Sequence, residues 1–296
     1  MSTTLIRDVA DTAFLVAAHR AIESERPDAL FRDPLADRLA GEHGRRIAAG
    51  EPKAARMSGW AVAVRTCIID DYIRLAIERG VDTVLNLGAG LDTRPYRMAL
   101  PESLLWVEVD YPRVIDYKES RLAGEKPVCR LERIRLDLAD EAARRSMLSE
   151  LDSRAGTVLV LTEGVVPYLG IEEAASLADD LASLRTVRYW VVDYFSPATY
   201  KFRERRDMKR HMQNAPFRFQ PADYFAFFQQ HGWRAGEVRY IADEAERRGR
   251  PIPLPAHMRW LVRLTGVFTP REKRTAFRRF AGYVLLEPVR PAPAGR

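Results

Sequence analysis

The sequence predicts an α/β fold: a doubly wound, mainly parallel sheet preceded by an N-terminal helical region. Three observations predict it. Residues 1–80 read as helix without a strand. From Val81 onward, short apolar runs alternate with segments of helical character, the pattern of crossover units on a parallel sheet. The first apolar run passes directly into a glycine turn, Gly88-Ala89-Gly90.

In chain order, an Ala-rich helix is expected over 12–25, with Arg26-Pro27 ending it. Asp33 is a candidate N-cap and Pro34 suits the first position of a second helix over 34–48. Gly50-Glu51-Pro52 breaks the chain, and a third helix over 60–79 stops at Gly80. Strands follow at 83–87, 104–109, 131–136 (the weakest run), 157–161 and 189–192, with helices at 92–100, 112–123, 139–152 and 171–184 between them. Right-handed crossovers make the sheet doubly wound. The first strand is then central, and a crevice opens at the carboxyl ends of the strands where their order reverses. After Ser196 the pattern blurs. A helix over 222–231 ended by Gly232, a strand at 237–241, a rigid break at 251–255 and a last strand at 280–286 complete seven strands. The resulting division is a helical N-terminal region (1–80), a core (81–195), a segment with the last core strands (196–290) and a disordered tail (291–296).

Bulk properties set the class. The chain has 296 residues, 47% hydrophobic and 30% charged, ordinary for a globular protein with a sizeable core. No apolar run has membrane-spanning length, and the N-terminus lacks the basic and apolar regions of a signal peptide. Two cysteines, Cys67 and Cys129, make neither a disulfide framework nor a metal-type spacing, which fits a reducing, cytoplasmic setting. The net charge is +6 and the pI about 9.4. The arginines behind it are interleaved with acids, as in Arg20-Ala21-Ile22-Glu23-Ser24-Glu25-Arg26, so they read as solvated helix faces rather than a nucleic-acid stripe.

The glycine turn allows close backbone approach and positive φ. Thr93 stands where a dinucleotide site needs a third glycine, and there is no Gly-Lys-Ser/Thr for a phosphate cradle. Acids then recur at strand ends. Glu108 and Asp110 close the second run, about 20 residues past the glycines, where an acid hydrogen-bonds ribose hydroxyls; Asp110, at the very end, is the better placed. Asp137-Leu138 closes the third run, where the carboxylate can accept from an adenine amino group and the following N–H can donate. Glu163 closes the fourth. Asp110 and Asp137 are also natural N-caps for the helices that follow.

These residues together resemble those of the class I S-adenosylmethionine-dependent methyltransferases, specifically the leucine carboxyl methyltransferase family. Within it the bacterial branch of tetracenomycin-type polyketide O-methyltransferases is most similar. The resemblance rests on Thr12-Ala13, Arg20-Ala21-Ile22-Glu23, Asp33-Pro34-Leu35-Ala36, Arg65-Thr66, the run from Asn86 to Arg94, Glu108-Val109-Asp110-Tyr111-Pro112, Asp137-Leu138 and Thr162-Glu163-Gly164-Val165. It implies a seven-stranded Rossmann-like methyltransferase sheet with residues 1–80 as an N-terminal helical cap and a C-terminal lid insertion for the substrate within 196–290, and S-adenosyl-L-methionine as cofactor. It also implies roles. Gly88, Gly90 and their loop hold the methionine part, Arg65 pairs with its carboxylate, and Glu163 lines the site near its amino group. Asp110 binds the ribose, and Asp137 and Leu138 the adenine.

Methyl transfer from a sulfonium needs alignment and exclusion of water above all. A carboxylate acceptor needs no base; a hydroxyl does, and Tyr194, His211 and His257 are the candidate bases or orienters. Aromatic residues crowd 195–228, where they can pack a flat acceptor. The expectation is an O-methyltransferase acting on a small-molecule acceptor, aromatic or acidic, of secondary metabolism, with no metal, nucleic acid or membrane involved. A protein C-terminal carboxyl methyltransferase and a non-catalytic cofactor-binding module are the alternatives. No residue matches recognition of a C-terminal leucine. A nucleic-acid methyltransferase is disfavoured by the lack of an Asn-Pro-Pro-Tyr-type motif.

Overall fold

A computed structural model describes residues 9–50, 56–203, 214–253, 275 and 278–290. Its strands are β1 (Thr83–Leu87), β2 (Leu105–Asp110), β3 (Arg130–Arg135), β4 (Val158–Thr162), β5 (Val187–Phe195), β6 (Trp233–Tyr240) and β7 (Ala281–Pro288). They form one sheet in the order β3-β2-β1-β4-β5-β7-β6. The first five are parallel, and β7 runs antiparallel between β5 and β6. Strand order reverses between β1 and β4, as expected, which puts the topological switch point at their carboxyl ends. Every residue of β1, β2 and β4 is buried, the mark of strands covered on both faces and the reason their apolar runs are continuous. β3 is an edge strand of alternating charge, which explains its weak apolar signal.

Helices cover both faces. On one, α6 (Glu141–Arg154), α7 (Ile171–Ser183) and α9 (Tyr224–Gln230) pack Leu148, Leu177 and Phe228 on Trp190 and Trp233. On the other, α3 (Arg56–Glu78) and α10 (Ile241–Arg247) pack Ile68, Tyr72 and Ala245 on Trp106 and Tyr283. α4 (Arg94–Arg97) and α5 (Pro112–Arg121) follow β1 and β2, and α8 (Pro197–Arg203) follows β5. α1 (Val9–Ser24) and α2 (Ala36–Ala49) pack closely over the start of α4; a Cβ on Gly44 would lie 2.6 Å from the Phe14 carbonyl oxygen. No helix of the described residues is long and apolar enough to cross a membrane.

Several local expectations need correction. The second helix starts at Ala36 with Leu35 as N-cap, and a non-helical Gly41 interrupts it. Asp33 is not that cap: its carboxylate is buried and bonded to Arg20 and Thr93. Asp110 does not cap α5, whose N-cap is Tyr111. Asp140, not Asp137, caps α6 by accepting from the Ala143 N–H at 3.0 Å. The helix expected over 92–100 shrinks to four residues because Met98 is already extended. β6 begins at Trp233, four residues before the expected start. An irregularity between Ala235 and Glu237 spoils its alternation there. α8, α10 and the 3-10 turn Val166–Tyr168 are too short to leave a periodic signal. His211, His257 and the tail 291–296 lie outside the described residues.

Candidate functional site

The site is assembled at the carboxyl ends of β1, β2 and β4. Gly88 leaves β1 with φ +67° and Gly90 follows with φ +49°. The Gly88 N–H donates to the Val109 carbonyl at 2.8 Å, which ties the turn to β2. A Cβ on Gly88 would stand 2.4 Å from Val165 Cγ2, so space and φ both demand glycine. Asp110 accepts from the Gly90 N–H at 2.6 Å and from the Tyr111 N–H at 2.7 Å. Burial pushes its carboxyl up in pKa, and those two N–H bonds only partly offset the effect. The ribose candidate and the glycine loop are therefore one hydrogen-bonded unit.

Beside this loop lies an ion network. Arg65, on α3, faces Glu163 with Nε 2.9 Å from Oε1. That Nε is buried and makes no hydrogen bond, because its N–H direction misses the carboxylate. The other Glu163 oxygen, Oε2, accepts from Arg94 Nη1 at 2.9 Å. Burial would raise the Glu163 pKa, but Arg94 and Arg65 outweigh it and hold the carboxyl below its ordinary value. Arg94 also donates to Asp92 Oδ2 at 2.9 Å and to Asp70 Oδ1 at 2.7 Å, and Asp70 binds Arg97 through both oxygens. Asn86 on β1 donates to Asp92 at 2.9 Å. Arg20 reaches the Leu91 carbonyl at 2.6 Å and Asp33 at 2.9 Å, while Thr93 donates to Asp33 at 2.6 Å. α1 and the segment after it are thus tied to the loop that follows β1.

The structure brings Arg65 to Glu163 and Gly90 to Asp110. At the next strand end, exposed Asp137 accepts from the Ala139 N–H at 2.9 Å and hydrogen-bonds the Tyr111 phenol, bridging β2 to β3. Leu138 is half-buried against the core, and its carbonyl accepts from Arg144 at 2.6 Å. Tyr194 falls elsewhere. Side chains alternate along β5, and its ring stacks on Phe225 at 5.7 Å and meets Tyr224 edge-on at 5.0 Å. The sequence does not single out Asp70, Asp92, Arg94 or Arg97 as site residues: Asp92-Thr93-Arg94 belongs to the family-like run from Asn86 to Arg94, and Asp70 lies on a helix with no local signal.

These residues fit S-adenosyl-L-methionine. The loop has no room for a side chain at 88, the buried acid at 110 carries hydrogen-bonding capacity, and Arg65 has a buried donor that no hydrogen bond uses. Comparison with known proteins agrees. A protein of Mycobacteroides abscessus, 30% identical over 275 residues (82% of this chain and 90% of that one), carries the name of an S-adenosyl-L-methionine-dependent methyltransferase. So does one of Parafrankia sp., 33% identical over 265 residues and 83% of each chain. A crystal structure of a DUF574 family protein from Streptomyces avermitilis shares the fold, with TM-score 0.54 and 15% identity over 94% of this chain and 97% of that one. The protein is an S-adenosyl-L-methionine-dependent methyltransferase. The sequence profile of leucine carboxyl methyltransferases matches residues 13–182, more than half of the chain, which therefore belongs to the leucine carboxyl methyltransferase family.

Proposed function

We propose that this methyltransferase methylates a carboxyl or hydroxyl oxygen of a small, polyketide-like molecule. The observation that supports the reading best is an aromatic shelf next to the Arg65–Glu163 pair. Tyr168 ends the short turn after Glu163, and Phe217 meets its ring edge-on at 5.2 Å. Phe217 lies 4.9 Å from Phe195 at the end of β5, and Phe195 lies 6.5 Å from Tyr200 on α8. Tyr168, Phe195 and Phe217 are half-buried rather than sealed in the core, so part of each ring is open to a flat acceptor.

Bound S-adenosyl-L-methionine supplies a methyl group already activated on a good leaving group. The chain's own residues bind, orient and exclude water. Arg65 exchanges its poorly aligned contact with Glu163 for the cofactor carboxylate, where its planar edge can make two bonds. Glu163, kept anionic by Arg94, then takes the amino group. Gly88 and Gly90 give the methionine part close approach, Asp110 accepts from the ribose, and Asp137 and Leu138 hold the adenine. A carboxylate acceptor needs no base. For a hydroxyl acceptor the candidates are Tyr194, His211 and His257. Tyr194 packs its ring on Tyr224 and Phe225, away from the Arg65–Glu163 pair, and burial raises its pKa, so it is poorly suited to act as the base.

The test is incubation with methyl-labelled cofactor, first against a panel of aromatic carboxylic acids and phenols, then in a lysate separated into organic extract and macromolecules. Label in the extract and in panel members is expected. Label confined to macromolecules overturns the reading in favour of a protein carboxyl acceptor.

A further inference from the structure

Asp193 stands at the end of β5, buried behind the site just described. Its Oδ2 accepts from the Gly164 N–H at 2.8 Å and its Oδ1 from the Tyr283 hydroxyl at 2.9 Å. Its backbone carbonyl accepts from the Tyr224 hydroxyl at 2.8 Å. No cation among the described residues hydrogen-bonds it. Arg65 reaches it only through space and faces Glu163 at contact distance. A buried carboxylate whose hydrogen bonds all come from neutral donors is costly.

The peptide it holds explains the choice. Gly164 follows Glu163 directly and sits at φ +68°. The N–H that Asp193 accepts belongs to the same rigid peptide as the Glu163 carbonyl, so holding it restrains the backbone from which the Glu163 side chain leaves. We infer, resting on the roles proposed above for Arg65 and Glu163, that Asp193 is a positioning residue for the amino-acid end of the cofactor. Its carboxylate pins the Glu163–Gly164 peptide and adds a second anion facing Arg65. Charged or titratable groups face it from α3 (Arg65), from the turn after β4 (Glu163), from α9 (Tyr224) and from β7 (Tyr283).

The inference predicts a split between stability and binding. Asp193→Asn keeps the shape and removes the charge. The expected result is a rise of about tenfold in the S-adenosylhomocysteine Kd by calorimetry at neutral pH, with a melting temperature equal to or above that of the unaltered protein. Tyr283→Phe keeps the charge and removes one of its anchors, and a rise of about threefold is expected. In the unaltered protein the Kd rises as pH falls from about 7.5 to 5.5, and Asp193→Asn flattens that profile. A Kd within about twofold of the parent in folded Asp193→Asn overturns the inference. So does an equal pH slope in both proteins, or a melting temperature that falls by more than about 5 °C together with affinity, which marks a merely structural residue. If Asp193→Asn fails to fold, an unchanged Kd in Tyr283→Phe overturns it instead.

Discussion

Arg94 is the side chain that the site can least replace. It is 3% exposed and serves Asp70, Asp92 and Glu163 at once. Removing one partner of a buried ion network leaves unpaired charge, at a cost of about 3–5 kcal/mol. Arg94→Ala should lose stability on that scale in a urea titration. Arg94→Lys should recover only part of it, because one ammonium cannot reproduce a planar fork on three carboxylates. A loss in Arg94→Ala below about 1 kcal/mol would show that the three acids find other partners. Arg65 and Asp110 carry a different prediction, since the proposed function gives each a contact with the cofactor. Arg65→Ala and Asp110→Ala should each weaken S-adenosylhomocysteine binding by more than about 1.4 kcal/mol, a factor of ten. Unchanged affinity in both, measured by calorimetry, rejects the map. At this scale the sequence was informative where a residue type is tied to a strand end, as with Asp110 and Glu163. It was silent on Asp70 and Asp193, whose partners are set only by packing between distant elements.

Among the elements, the junction from β1 to α4 concentrates the constraints. Its turn is clamped by Val109 and Asp110 from β2, by Val165 from the turn after β4 and by Arg20 from α1. Gly88→Ala should therefore cost about 1–2 kcal/mol for the positive φ and about 1–3 kcal/mol for overlap with Val165. It should also weaken cofactor binding by displacing the loop. Adding Val165→Ala relieves the overlap but not the φ, so the double variant should regain part of the melting temperature. No recovery would place the strain elsewhere. Gly44→Ala is the counterpart in the cap. Its Cβ meets a backbone oxygen, which has little freedom to move, so α1 and α2 must separate and stability should fall by about 1–3 kcal/mol. The same view explains which elements were legible. β1 and β4 are buried on both faces and read as plain apolar runs. β3 is a charged edge, β6 is interrupted near Gly236, and α8 and α10 are seven residues each, below any useful helical period.

For the whole molecule the decisive pattern is how buried carboxylates divide. The basic composition concealed it, because the cap and core spend many arginines on interior acids: Arg20 on Asp33, Arg94 and Arg97 on Asp70, Arg133 on Glu108, Arg144 on Asp180. Burial alone would raise the carboxyls of Asp70, Asp92 and Glu163, yet their arginines hold all three below their ordinary values. A depressed folded pKa contributes stability above the unfolded value, near 3.8 for Asp and 4.5 for Glu, and that stability disappears as pH falls through the folded value. Asp193 has the opposite sign. Burial pushes it up to about 6, with Arg65 and its N–H and O–H donors only partly offsetting the effect. Between its unfolded value of 3.8 and about 6 the folded state binds the extra proton, so stability rises as pH falls through that window. Two opposed arms result. The melting temperature, followed by calorimetry, should climb as pH falls from about 7.5 to 5, then drop steeply below about pH 4 as the arginine-paired acids protonate. Asp193→Asn should erase the climb and leave the drop intact. A climb that persists in that variant would assign it to another group with a raised carboxyl, of which Asp110 is the first to test.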